Sequence, residues 1–504
     1  MYAAVNGTSR YETAPRYKYF QPRIGFAYQL TDKTVLRGGL GRFVQADFNP
    51  SSNQTGFSSS TPYCSTGCSN YATVGQTWDN PFPNGLVAPV GNSLGILTNV
   101  GLPTGGTPTY QAYNVGRVYV DTATLAVQRQ IKDYLFEVGG MFNSTHGLAM
   151  STNINLPGAG AWFAANTPTF NATTDAPSTT LPGATNLANP FKGVQYVNTT
   201  EAGATNVTAY QLLRPNPAAG DINLNTGDGK VFFYSLITKV EKRFNNGFSV
   251  LQSFTYSKTI SENNVYANQA VAVRIEKRLA TSDQRFHYSL APIYELPFGR
   301  GKRFLNNSGW VMDELVGGWE FSGIYNFQSG VPVVFNTNGA FFQGGDPSIG
   351  SKKSHSQWFD TSKFAIFPSS SVSKATLANT TIYPAWTGVT GMPGSSFTPT
   401  SGSGPQNGVY QDFATWNTYN PTTFGDVRQP YTTAFTLGAR KSFVIAGPVR
   451  FQIRMDVFNA LNHPLFASVN TTVGNSFFGT LGSSATLSQT NSPRQVQLSG
   501  RLTF

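Results

Sequence analysis

Between Val449 and Asn459 the chain reads Val-Arg-Phe-Gln-Ile-Arg-Met-Asp-Val-Phe-Asn. In an extended chain successive side chains point to opposite faces. Phe451, Ile453, Met455 and Val457 therefore share one face, and Gln452, Arg454 and Asp456 the other. The chain closes on the same alternation. In Gln495-Val-Gln-Leu-Ser-Gly-Arg-Leu-Thr-Phe504 the apolar face is Val496, Leu498, Leu502 and Phe504, and the polar face is Gln495, Gln497, Ser499, Arg501 and Thr503. Such a strand has one dry face and one wet face. A soluble sandwich has the same local pattern, so length must separate the two. Globular strands average ~5–6 residues, whereas these runs match the ~9–11 residues of a tilted membrane-spanning strand.

Working outward, the alternation recurs in pairs. Pro22–Leu30 and Thr34–Val44 are joined by Thr31-Asp32-Lys33, and Gly116–Gln130 and Tyr134–Thr145 by Ile131-Lys132-Asp133. Lys230–Phe244 and Phe248–Thr259 flank Asn245-Asn246-Gly247, and Asn-Gly between alternating runs is a strong hairpin signature. Arg285–Glu295 and Gly317–Gly330 enclose a longer turn with Leu296-Pro-Phe-Gly-Arg-Gly-Lys-Arg303. Thr432–Phe443 and Val449–Asn459 are joined through Val444-Ile-Ala-Gly-Pro448, and Pro493–Phe504 is the last strand. The pairs are separated by Ser/Thr/Asn/Gly/Pro-rich loops over Gln45–Val115, His146–Gly229, Ile260–Gln284, Val331–Tyr431 and Ala460–Ser492. Loops of this length argue against a compact soluble domain. Short turns at one end and long loops at the other predict an all-β antiparallel meander of about eleven long strands. It would form all or part of a transmembrane β-barrel with short periplasmic turns and long extracellular loops.

Composition agrees. Of 504 residues, 12% are charged and 13% aromatic, against about 25% charged in a typical soluble domain. No run reaches the ~18 apolar residues of a membrane helix. The net charge of +11 is scattered in short groups, so no basic stripe for nucleic acid is expected.

Catalytic patterns are missing. The four histidines, His146, His287, His355 and His463, form no metal spacing and fall outside the known catalytic motifs. Asp283 and His287 would need a third group to act as an acid–base pair, and a structural hydrogen bond at a strand entrance is the preferred reading. Gly299-Arg-Gly-Lys302 lacks the spacer and the Ser/Thr of a phosphate loop. No catalytic residue, cofactor or metal is expected. Cys64 and Cys68, the only cysteines, sit in a Ser/Thr/Gly/Asn-rich loop. They suit a small disulfide in an oxidising compartment. Trp310, Trp319, Tyr325, Phe327, Tyr431, Phe443 and Phe504 read as an interfacial aromatic girdle, while Trp78, Trp162, Trp358, Trp386 and Trp416 lie in loops open to ligand contact. Gln452, Arg454, Asp456, Gln497 and Arg501 are the lumen-facing candidates.

Several segments, in order, resemble the C-terminal part of TonB-dependent outer-membrane receptors, in particular the Oar-like group that carries a carboxypeptidase-regulatory-like domain. They are Phe20-Gln-Pro-Arg-Ile-Gly-Phe-Ala-Tyr28 with Thr34-Val-Leu-Arg-Gly-Gly-Leu-Gly-Arg-Phe43, then Lys239-Val-Glu-Lys-Arg-Phe244 with Phe254-Thr-Tyr-Ser-Lys258. Asp283-Gln-Arg-Phe-His287, Tyr294-Glu-Leu-Pro-Phe-Gly299, Gly318-Trp319, Gln328-Ser-Gly-Val-Pro332 and Asp456-Val-Phe-Asn-Ala-Leu-Asn-His-Pro464 follow, ahead of the terminal Phe504. The resemblance implies residence in the cell outer membrane and contact with its lipid. It implies ligand uptake coupled to the TonB complex, and assembly by machinery that reads Leu498, Leu502 and Phe504. It also implies a plug domain and an N-terminal half-barrel. The N-terminus has no apolar stretch of a signal peptide, and no plug precedes the first strand, so residues 1–504 are expected to be the second half of such a barrel, unable to transport alone. Two other readings stand beside it: a surface adhesin or structural barrel, and a secreted glycan-binding sandwich.

Overall fold

The computed structural model describes residues 19–45, 109–158, 185–193, 203–265, 275–335, 340–342, 345–366, 421–472, 475–482 and 489–504, with short pieces of the loops between them. Eleven strands follow one another in a single path. They are β1 (Arg23–Thr31), β2 (Thr34–Val44), β3 (Tyr119–Ile131), β4 (Tyr134–Asn153), β5 (Asn223–Asn245), β6 (Phe248–Val265), β7 (Phe286–Glu295), β8 (Trp319–Gln328), β9 (Thr432–Ala446), β10 (Val449–Phe458) and β11 (Gln495–Thr503). Each pairs antiparallel with its sequence neighbour. Two short strands attach off the path: Thr109–Gln111, parallel to β5, and Ile275–Leu279, antiparallel to β6. The meander expected from the alternation is therefore present, strand for strand.

The turns follow local chemistry. Between β5 and β6, Asn246 and Gly247 take positive φ values of 54° and 73°, the geometry of a two-residue hairpin turn that suits the right-handed strand twist. The longer connection expected from β7 to β8 is present, and it carries a helix, Trp310–Val316, that the sequence reading did not place. Asp313 of that helix accepts the Arg300 N–H at 2.7 Å. Gly299 wraps around it with φ 110°, and a Cβ there would lie 2.6 Å from the Asp313 carboxylate oxygen. Gly299-Arg-Gly-Lys302 is thus a turn built around one carboxylate, and Lys302 closes it by donating to Glu295 at 2.6 Å.

The register propagates the two faces across the whole sheet. Val457, Met455 and Phe451 oppose Val496, Leu498 and Leu502, and Leu437, Ala439 and Phe443 stand on their other side. The apolar face runs on through Phe321, Tyr325, Tyr288, Leu290, Phe254 and Tyr256 to Leu236, Phe142, Leu125, Leu40 and Phe26. Apart from Ala439, which is buried, these side chains are exposed or half-exposed: Leu498 is 72% exposed and Phe504 91%. A contiguous apolar face of this size is far beyond the few hundred Å² tolerated on a soluble monomer. Both outer strands, β1 and β11, are exposed along their full length.

β4, β5 and β6 continue beyond the expected ends. β4 runs past Thr145 to Asn153 and pairs there with Asn223–Thr226, and β6 runs on to Val265. In these extensions isolated apolar residues such as Leu148, Met150 and Leu224 stand among Gly, Ser, Thr and Asn, so no sustained dry–wet alternation marks them. His146, expected at a strand end, lies inside β4. Its ring stacks on Tyr119 at 5.0 Å, and its Nε2 is 2.7 Å from Ser144 Oγ.

The main packed apolar core among the described residues is not under the sheet. It lies in the long-loop layer, where Val333, Phe335, Phe359, Phe364, Val427, Val469, Phe478 and Leu481 bury one another. Phe335 and Phe364 stack at 4.7 Å, and Phe359 meets Phe335 edge-on at 5.0 Å.

Candidate functional site

Gln452, Arg454, Asp456, Gln497 and Arg501, the residues expected to face a lumen, share the polar face of the sheet, and the register brings them together. Gln452 opposes Arg501, and Asp456 opposes Gln497. Arg454 pairs with Asp456 of its own strand at 2.8 Å, and Gln452 donates to Ser442 Oγ at 3.2 Å. The patch continues into residues that single-strand reading does not single out. Arg440, which opposes Arg454 on β9, binds Glu320 of β8 at 2.6 Å. Glu320 opposes Glu295, and Glu295 holds Lys302. Further round, Lys239 lies 3.5 Å from Glu241 and opposes Glu137, which accepts from Gln128 at 2.5 Å. The result is a belt of alternating acids, bases and amides nearer the short turns. Exposed pairs of this kind each contribute only ~0–1 kcal/mol, so their consequence is a water-compatible wall rather than stability.

Above the strands, two buried carboxylates fasten the long loops. Asp283 is fully buried and binds Arg428 Nη2 at 2.5 Å. The same carboxylate accepts the Thr259 N–H, and Arg428 also donates to the carbonyls of Asp283 and Gly330. Glu276, equally buried, accepts from the N–H and hydroxyl of Thr422 at 2.7 and 2.8 Å and pairs with Arg278 at 3.3 Å. Asp283 is thus a structural anchor whose partner is Arg428. His287, four residues on, lies across from Thr255 and Gln328. His463 stacks on Tyr431 at 5.4 Å, and the His355 carbonyl accepts the Leu481 N–H. No group of three His, Cys, Asp or Glu suited to a metal occurs among the described residues.

Of the aromatic residues expected to form a girdle, Trp319, Tyr325, Phe327, Tyr431 and Phe443 belong to strands or strand ends, while Trp310 starts the helix between β7 and β8. Trp319 stacks on Phe321, Tyr325 meets Phe435 edge-on, and Phe327 contacts Tyr431. Two lysines interrupt the apolar face near the short turns. Lys441 donates to the Gly317 carbonyl and lies over the rings of Trp319 and Phe443. Lys242 donates to the carbonyls of Asn245 and Phe248 beside Tyr134. In both, the ammonium reaches from the apolar face to backbone oxygens at the turn.

Of the loop tryptophans, Trp358 is no free ligand contact. It packs against the phenylalanine core, and its indole donates to the Arg428 carbonyl at 2.6 Å. Trp78, Trp162, Trp386 and Trp416, with Cys64 and Cys68, lie outside the described residues. Beside Trp358, Lys353 donates to the Asp426 carbonyl at 3.1 Å. Burial lowers its amine from the usual lysine range, an effect that Asp426 opposes and Arg428 and Arg285 reinforce.

The sequence profile of a family described as an outer membrane beta barrel domain matches residues 1–497. No curated protein matches the chain. Solved structures similar to it include the ferripyoverdine receptor of the Pseudomonas aeruginosa outer membrane bound to ferripyoverdine, at 8% identity and TM-score 0.35 over 95% of this chain and 32% of that one. The outer-membrane transporter YddB from Escherichia coli aligns at 8% identity and TM-score 0.36, over 93% of this chain and 38% of that one. BauA, the ferric preacinetobactin receptor from Acinetobacter baumannii, aligns at 8% identity and TM-score 0.34, over 96% and 36%. The chain spans roughly a third of the length of each.

Proposed function

Because the chain belongs to the outer membrane beta barrel domain family and is a protein of the outer membrane, we propose that it forms the C-terminal half of a plugged uptake barrel of the TonB-dependent type. The observation that carries this reading is the direction of the two edge strands. β1 and β11 both run toward the short turns. Joining them directly would pair parallel strands in an otherwise antiparallel sheet. Leaving them open would strand backbone donors and acceptors in lipid, at several kcal/mol each. Antiparallel closure therefore calls for an odd number of further strands. Eleven more would give the 22-stranded barrel of outer-membrane transporters, whose lumen is plugged.

In this reading the apolar face meets lipid and the belt from Glu137 to Arg501 lines the lumen, where mixed charges hold a plug without a strong field of one sign. Gln452, Arg454, Asp456, Gln497 and Arg501 contact that plug. The loop layer around Asp283–Arg428 and Phe359 is the outer vestibule, and its fixed core presents ligand-contacting loops. Energy reaches the barrel through the plug from the TonB complex, and no part of the work is chemical catalysis.

The test is uptake by cells carrying the intact gene, its deletion, and the deletion complemented in trans. Each is scored on iron chelates and on oligosaccharides, with and without collapse of the inner-membrane proton gradient. Accumulation that needs both gene and gradient supports the proposal. Uptake indifferent to the gene, with reduced surface attachment on deletion, would instead favour an adhesin.

A further inference from the structure

Where the upper ends of β7, β8 and β9 meet the long loops, a pocket of about 280 Å³ opens, close to the lower end of small-molecule sites at ~300 Å³. Gln284 enters it from the loop before β7, Gln328 and Ser329 from the end of β8, Gln429 and Thr432 from the entrance of β9, and Ser468 from the loop after β10. Pro430, Leu465 and Phe466 supply apolar edges. None of its described lining residues is charged. Arg428, beside Gln429 in the chain, is held by Asp283 and by two backbone carbonyls.

The backbone around the pocket is already paired. The Ser329 N–H donates to the Phe286 carbonyl and the Gln429 N–H to the Val331 carbonyl. Recognition therefore falls to side chains. Gln284 Nε2 donates to Gln328 Oε1 at 3.2 Å, and Gln429 Oε1 accepts the Val469 N–H at 2.9 Å. These bonds orient the amides and occupy one end of each. Gln284 Oε1, Gln328 Nε2, Gln429 Nε2 and the hydroxyls of Thr432 and Ser468 have no protein partner among the described residues. Together they offer both donors and acceptors.

The same uncharged chemistry continues down the polar face. Gln328 and Thr432 line the pocket and also stand in the cross-strand row Thr255–His287–Gln328–Thr432. The next row is Ser253–Ser289–Asn326–Ala434. Neither row holds Asp, Glu, Lys or Arg. On these strands the charged belt begins lower, at Glu295–Glu320–Arg440.

We infer that the pocket takes a sugar ring of a neutral oligosaccharide, with ring hydroxyls on Gln328, Gln429 and Thr432. The inference rests on the uptake reading above and gives it a ligand class. A charged chelate would lose hydration in a site that offers no counter-charge. A peptide adding to the strands would need a free row of backbone groups, and those at the pocket are paired. A sugar hydroxyl both donates and accepts, and the C–H faces of a sugar ring suit Pro430, Leu465 and Phe466.

The test uses the whole receptor, expressed from the intact gene and purified from outer membranes in mild detergent. Isothermal titration calorimetry compares neutral hexasaccharides of glucose, xylose, mannose and galactose with hexagalacturonate, ferric citrate and a capped hexa-alanine peptide. At least one neutral hexasaccharide should bind, and more tightly than each of the other probes. Gln328→Leu and Thr432→Val should each weaken that binding about tenfold and keep the heat-modifiable mobility of the folded barrel. The Thr432 hydroxyl holds no protein group, so Thr432→Val alone is read should Gln328→Leu lose the folded band. Absence of binding by every neutral hexasaccharide, tighter binding of a charged probe or the peptide, or parental affinity in Thr432→Val would overturn the site. The purified receptor is read without any gradient, which separates the two proposals. Hexasaccharide binding without gene-dependent uptake overturns the uptake reading alone. Gene- and gradient-dependent uptake confined to ferric chelates overturns the sugar site alone.

Discussion

Asp283 and Arg428 are 145 residues apart in the chain and 2.5 Å apart in the fold. The pair joins the entrance of β7 to the far end of the longest loop. Removing one partner of a buried ion pair costs about 3–5 kcal/mol, because the other charge is left in a dry site. Arg428→Met should therefore loosen the loop layer and leave the strands intact. Limited proteolysis in membranes should cut near residues 421–431 faster, with the heat-modifiable band unchanged. Parental protease resistance in Arg428→Met would count against the anchor.

Phe359 is fully buried and meets Phe335 and Phe478 edge-on at 5.0 and 5.2 Å. Truncating such a ring costs about 3–5 kcal/mol. Phe359→Ala should release the same loop layer. Antibodies to loop conformations should lose binding, while tryptic fragments of β8–β11 stay protected.

Lys441 differs from its neighbours on the apolar face, because its ammonium satisfies the Gly317 carbonyl. Lys441→Glu removes the donor and sets an acid against that oxygen, for an expected loss of about 1–3 kcal/mol. Urea titration of the folded band should show a lowered midpoint. Lys441→Arg, which can still reach the carbonyl, should hold the parental value.

Phe504 ends the apolar face of β11 and is covered by no protein side chain. One edge aromatic is a small share of a large lipid-facing surface, so its loss should change the formed barrel little. Its role in assembly is another matter. Phe504→Ser, and deletion of the last four residues, should reduce the folded protein recovered from the outer membrane several-fold. Unchanged recovery of both would end the assembly assignment.

Cys64 and Cys68 are expected to be oxidised to a loop disulfide in protein taken from the cell surface. Non-reducing mass analysis of the peptide spanning them should show the loss of two protons, restored by reductant. Free thiols in such material would contradict it.

The strands were legible because lipid on one side and water on the other impose a period of two. That constraint acts within a single strand, so Phe451–Val457 and Val496–Phe504 reveal their faces without reference to any neighbour. Asn246-Gly247 encodes its hairpin for an equally local reason, since its positive φ values are set by two residues. What escaped sequence reading lies where water bathes both sides or where the partner is remote in the chain. The upper parts of β4 and β5 set Leu148, Met150 and Leu224 among Gly, Ser, Thr and Asn, so no sustained alternation marks them, and pairing with each other decides their length. Trp358 and Arg428 lie 70 residues apart in one long loop and Asp283 in another, and only the folded loop layer turns a loop tryptophan into a core residue and an Asp–His spacing into an Asp–Arg anchor. The lumen candidates were chosen by parity within two strands, whereas the belt they belong to, through Arg440, Glu320 and Glu295, exists only because cross-strand register aligns side chains from separate hairpins.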